Sequence, residues 1–150
     1  MESIPQAFDT DPSASKRMTA TIQRQGDLLV GLNLHIHFIN TGSSNISISN
    51  VPERLGLKII DYVELMIGQT PIDRMYGDWM NVWGQLTHDY SSQVKWKRLV
   101  SGKELAHNCD DVYTTTPIPL AQGGEGTVAI VPLPFWFSRN PGLALPLVAL

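Results

Sequence analysis

A single cysteine, Cys109, stands in the 150 residues, so no disulfide can close within the chain, and such usage suits a reducing compartment. Positive charge is scarce too: 11 lysines and arginines against 14 aspartates and glutamates leave a net charge of −3. A nucleic-acid binder would usually carry a basic field, so no direct contact with nucleic acid is expected. No long apolar run is unbroken. The longest is interrupted by Arg139, Asn140 and neighbouring proline and glycine, so no membrane insertion is expected. Met1-Glu2-Ser3-Ile4-Pro5 has neither the basic nor the apolar stretch of a secretory signal, and a soluble, cytosol-type chain is expected. Internal repeats and low-complexity tracts are lacking.

What is present is strand pattern. From Met18 to Phe38 the apolar residues Met18, Ala20, Ile22, Leu28, Val30, Leu32, Leu34, Ile36 and Phe38 all fall at even positions. Thr19, Thr21, Gln23, Asn33, His35 and His37 occupy the other face. A period of two with one wet face marks antiparallel strand. Met18, Ile22, Leu28, Leu32, Leu34, Ile36 and Phe38 are therefore expected inside, because a one-residue slip would put the whole set in water. Arg24-Gln25-Gly26-Asp27 interrupts the pattern without changing its parity, which predicts a bent strand that changes sheets. Ser3–Phe8 could form a further short strand, followed by the breakers Asp9 to Ser13.

Thr41 to Asn45 reads as a turn, Ile46 and Ile48 as a brief strand, and Pro52–Asp61 as room for one helical turn. Tyr62–Ile67 alternates as a strand, and Gly68-Gln69-Thr70-Pro71 turns the chain. Trp79, Val82, Trp83 and Leu86 then follow helical spacing, with Asp78 placed to cap the first turn, which predicts a short amphipathic helix packed on a β core. Ser101 to Gly126 is polar, with slack at Gly123-Gly124-Glu125-Gly126. Thr127–Phe137 returns to strand, with Val131, Leu133, Phe135 and Phe137 on one side. Its prolines confine it to an edge or an irregular pairing. Many short strands, one helix and long loops indicate an all-β sandwich. One domain of this length buries ~70% of its unfolded surface if compact.

Tested one by one, the chemistry-bearing residues assemble no reaction centre. His35 and His37 share one face of a strand, as in the metal-binding cupins, but Phe38 to Gly42 supplies no glutamate, and neither His88 nor His107 sits in a matching motif. His88-Asp89 with Ser91 or Ser92 lacks the strand-turn-helix elbow of a hydrolase. Lys95-Trp96-Lys97-Arg98 resembles a single-strand-binding cluster in type, but in an acidic chain it reads as a solvated loop with a half-buried tryptophan. Cys109, beside Asp110 and Asp111, has its thiolate disfavoured. Asn45-Ile46-Ser47 is a glycosylation sequon, without weight where no secretory signal accompanies it. Trp79 and Trp83 read as core rather than ligand platform. No catalytic, cofactor-binding or metal-binding residue is assigned.

The stretch from Pro132 to Leu150 (PLPFWFSRNPGLALPLVAL) is the most specific feature. A strand-like run with prolines two apart meets the turn Arg139-Asn140-Pro141-Gly142, and a second apolar run follows. This string resembles the major capsid proteins of large icosahedral double-stranded DNA viruses, of the iridovirus and algal-virus type. Met1-Glu2-Ser3-Ile4-Pro5-Gln6, Lys16 to Ile22 with Gly26-Asp27-Leu28, Val63-Glu64-Leu65 through Ile72-Asp73, and Tyr76-Gly77-Asp78-Trp79 are similar to successive pieces of the same family. The resemblance implies an antiparallel jelly-roll β-sandwich of the viral capsid type, the first of two in the family's chain. It also implies that residues 1–150 form an N-terminal jelly-roll domain truncated at both ends relative to the family, with Met1 an internal methionine and further strands after Leu150.

The function so implied is structural: no catalysis, no cofactor, and assembly with itself into homotrimeric capsomers that meet neighbouring capsomers or minor capsid proteins in a virion shell, after synthesis in the host cytoplasm. Two rivals remain, a cupin-like metalloenzyme using His35 and His37 and a small β-sandwich binding module. The missing glutamate opposes the first, and neither accounts for Pro132–Leu150.

Overall fold

The computed structural model describes residues 2–10, 17–39, 46–48, 54–101, 118–120 and 128–150. Its strands pair in nested fashion. β1 (Leu28–Leu29) lies antiparallel to β8 (Leu145–Pro146), β2 (Leu32–His37) to β7 (Val128–Leu133), and β3 (Ile46–Ile48) to β6 (Ile118–Leu120). Early and late parts of the chain thus run beside each other. The segment between them holds a local hairpin, β4 (Tyr62–Ile67) against β5 (Thr70–Tyr76), turned at Gly68 with φ +60°, a left-handed conformation that favours glycine.

The register of β2 on β7 explains the parity of both strands. Leu32 faces Leu133, Leu34 faces Val131 and Ile36 faces Ala129, so apolar side chains meet in directly opposed pairs on one side. Ala129, Val131 and Leu133 are buried, Leu32, Leu34 and Ile36 half-buried, and Asn33, His35 and His37 exposed, as the alternation predicts. Ile22 and Phe38 are half-buried and Thr19 and Gln23 exposed, also in line with it.

Two expected interior residues lie outside: Met18 is 39% exposed and Leu28 59%. Leu29 rather than Leu28 packs on the core. The inward parity is even at Ile22, odd at Leu29 and even again from Leu32, so it shifts across residues 24–27, where none was expected, and back at Val30-Gly31, where the chain leaves the partnership with β8 for that with β7. Ser3–Phe8 and 17–27 form no strand; they meet through Asp9 N–H donating to the Thr19 carbonyl (2.7 Å) and Thr21 Oγ1 donating to Asp9 Oδ2 (2.9 Å). Strand pattern without a neighbouring strand to bond leaves extended chain.

The expected single helix becomes several. α1 (Leu55–Ile59) fills the ambiguous stretch, α2 (Gly77–Thr87) the amphipathic one, and α3 (Tyr90–Ser101) covers a region read as loop. α4 (Trp136–Arg139) ends the run after β7, where Ser138 Oγ donates to the carbonyls of Leu133 and Phe135, each at 2.9 Å. Within α3, Trp96 and Val100 lie one turn apart and both are buried. Its start is capped by Asp89, whose Oδ1 accepts from Ser92 N–H (3.1 Å) and Oδ2 from Ser91 Oγ (3.0 Å). α2 has no such cap: its Ncap position is Tyr76, and Asp78 sits within the first turn, where it complements only the helix dipole.

The Asp89 carboxylate is held below the usual range by the hydrogen bonds from Ser92 and Ser91. A depressed folded value means stability that is present above the unfolded carboxylate pKa (~3.9) and lost as pH falls through the folded one. Asp89→Ala should therefore lower the melting temperature at pH 7, with the gap from wild type closing below about pH 4. Melting curves by circular dichroism at pH 7 and pH 3 check this. A gap of the same size at both would refute the carboxylate's role.

The core joins these elements. Leu57 of α1, Leu65 and Met75 of the hairpin, Met80 of α2, Trp96 and Val100 of α3, and Val131, Leu133, Phe135 and Phe137 form one buried cluster. α1 reaches it by close approach: a Cβ at Gly56 would lie 2.7 Å from the Val100 carbonyl and 2.8 Å from Val131 Cγ2. Arg54, just before α1, has φ +62° and donates its N–H to Ser101 Oγ at 2.8 Å, which fixes the chain's entry against the end of α3.

Candidate assembly interface

Helical spacing on α2 places Trp79, Val82, Trp83 and Leu86 on one face, and the structure turns that face outward. Trp79 is 45% exposed, Val82 46% and Leu86 75%. The inward face consists of Gly77, Met80 and Gly84. Glycine lets neighbours come within backbone distance, so the side with the least side-chain bulk packs tightest: α1 meets Gly77 and the Trp96 indole meets Gly84. The expectation that Trp79 belongs to the core is corrected accordingly. Trp83 is half-buried, with the Arg139 guanidinium 4.5 Å from its ring centroid, and the Trp79 and Trp83 rings lie 6.2 Å apart. Arginine over an indole keeps its charge in water while covering the ring.

Further apolar side chains face out at Ile59, Met66, Ile72, Leu143 and Val148. Scattered singly they would mean little, but a helical stripe holding two indoles is a contact surface in the making. Where Glu64 and Arg74 face each other across β4 and β5 the hairpin holds a charged knot. Glu64, its side chain only 9% exposed, accepts from Arg74 (2.6 Å and 3.0 Å) and from Arg17 (3.1 Å). The Arg74 guanidinium stacks 4.8 Å from the Tyr62 ring, and the Glu64 bond raises its pKa, so it stays charged throughout the accessible range.

The sequence-level candidates for chemistry are not brought together. His35 and His37 lie exposed on the outer face of β2, opposite Ile130 and Val128. His88 stacks on the Trp96 ring at 5.5 Å, with Nδ1 2.9 Å from the Gly84 carbonyl. Asp89 caps α3 with Ser91 and Ser92, which is a structural use of all three. Lys95 to Arg98 belongs to α3, with Trp96 buried rather than stacked in a loop. Cys109, His107, Asn45, the turn at 41–45 and the 123–126 glycines lie outside the described residues. Among the described residues no group of three His, Cys, Asp or Glu is placed to hold a metal, and no helix is long and apolar enough to cross a membrane. A depression of about 270 Å³ is lined by Arg54, Leu57, Lys58, Gly77, Asp78 and Asn81.

Two exposed imidazoles without a third ligand hold a transition metal poorly. Elemental analysis of the purified protein should find no stoichiometric metal. One tightly bound ion per chain, lost in His35→Ala or His37→Ala, would reverse that expectation.

Buried apolar pairing of β2 on β7, an outward aromatic face on α2 and charge pairs within the hairpin describe a strand-paired domain that leaves apolar surface exposed. Comparison with known proteins carries this to the family. The family described as "Major capsid protein N-terminus" matches residues 1–150, and the chain belongs to it. The major capsid protein of Phaeocystis pouchetii virus is 37% identical over 165 residues, covering all of this chain and 32% of that protein. That of Pyramimonas orientalis virus is 37% identical over 153 residues, covering all of this chain and 35% of the relative. A chain of the PBCV-1 virus capsid superposes with a TM-score of 0.70 at 27% identity, covering 99% of this chain and 31% of that one. The fold is thus the jelly roll of large-DNA-virus capsid proteins. The chain spans about a third of the length of the relatives it matches.

Proposed function

We propose that this chain forms the N-terminal jelly-roll domain of a major capsid protein and acts as a wall element of an icosahedral virus shell. In this reading residues 1–150 are one part of a longer double jelly roll. The protein has no catalytic activity. It associates with itself as homotrimeric capsomers that tile with neighbouring capsomers or minor capsid proteins. It resides in the virion and is made and assembled in the host cytoplasm.

The observation that carries the reading is the family match along the whole of residues 1–150, combined with an aromatic helix face turned away from the core. Apolar surface of this kind gains ~25 cal/mol for each Å² that association removes from water. The test is size-exclusion chromatography with light scattering on two chains. The 150 residues alone should be poorly soluble or heterogeneous, whereas a chain extended through the rest of the double jelly roll should run as a discrete trimer. A sharp monomer from the extended chain would defeat the reading.

A further inference from the structure

We draw no further inference here: the strongest candidate, the outward apolar face of α2 formed by Trp79, Val82 and Leu86, carries nothing, because nothing in the structure shows what covers it in a chain that spans about a third of the length of its relatives.

Discussion

Phe137→Ala should cost about 3–5 kcal/mol of folding stability, the range for emptying a buried phenylalanine site. Phe137 is fully buried and Phe135 is 1% exposed, and their rings stack with centroids 5.6 Å apart. The Trp136 ring meets Phe137 edge-on at 5.2 Å. Removing the ring therefore abolishes dispersion contacts on several sides at once. The site cannot collapse readily, since the turn carrying Phe137 is tied by Ser138 Oγ to the carbonyls of Leu133 and Phe135. A loss of this size rivals the whole stability of a domain, about 5–15 kcal/mol. Val148→Ala offers the contrast, because Val148 is 73% exposed and its truncation should stay within about 0.5 kcal/mol. Urea denaturation followed by tryptophan fluorescence separates the two. A Phe137→Ala midpoint close to wild type would mean that the aromatic pair is not the core's centre.

That pair was legible in the residue order, and the reason is instructive. The two-residue period from Val131 through Leu133 and Phe135 to Phe137 continues past the end of β7 into α4, so parity alone places all four inside. The β2 face was legible for the same reason, since directly opposed strands need only one parity to agree. Parity misled where partners changed. Leu28 and Leu29 pair with β8, while Leu32 onward pairs with β7, and nothing in the alternation marks that exchange. Pro71 hid β5, although Arg74 and Met75 there pair regularly with Glu64 and Val63. α3 was hidden by composition: Lys95, Lys97 and Arg98 surround Trp96, and only the spacing of Trp96 and Val100, with the capping pattern Asp89-Tyr90-Ser91-Ser92, signals a helix.

The outward face of α2 was concealed by a different mechanism. A helix is assigned its inner face by finding its largest apolar side chains, and on α2 these are Trp79, Val82, Trp83 and Leu86. Glycine contributes nothing to such a pattern, yet Gly77 and Gly84 are what allow α1 and Trp96 to approach. A stripe of bulk on one side and of glycine on the other has two apolar faces. The glycine face takes the tighter packing, and the bulky face stays exposed.

Gly84→Ala tests that account directly, and the sign of its effect decides it. In an exposed helix the change would stabilise by up to about 1 kcal/mol, because alanine loses less backbone freedom than glycine. At Gly84 the added methyl would collide with the benzo ring of Trp96. That ring has little room to retreat: Trp96 is 7% exposed, stacked on His88 and part of the buried cluster. Overpacking of this kind costs about 1–3 kcal/mol, so the net effect should be a loss of roughly 1–2 kcal/mol, and more for Gly84→Val. Trp96→Phe removes the colliding atoms at the expense of a partial cavity. In that background Gly84→Ala should cost less than it does alone, with a coupling of at least about 0.5 kcal/mol, as expected of side chains in direct contact. Thermal or urea unfolding of the four chains of this cycle supplies the measurement. A stabilising Gly84→Ala, or strict additivity with Trp96→Phe, would place α2 the other way round, with Trp79, Val82 and Leu86 turned to the core.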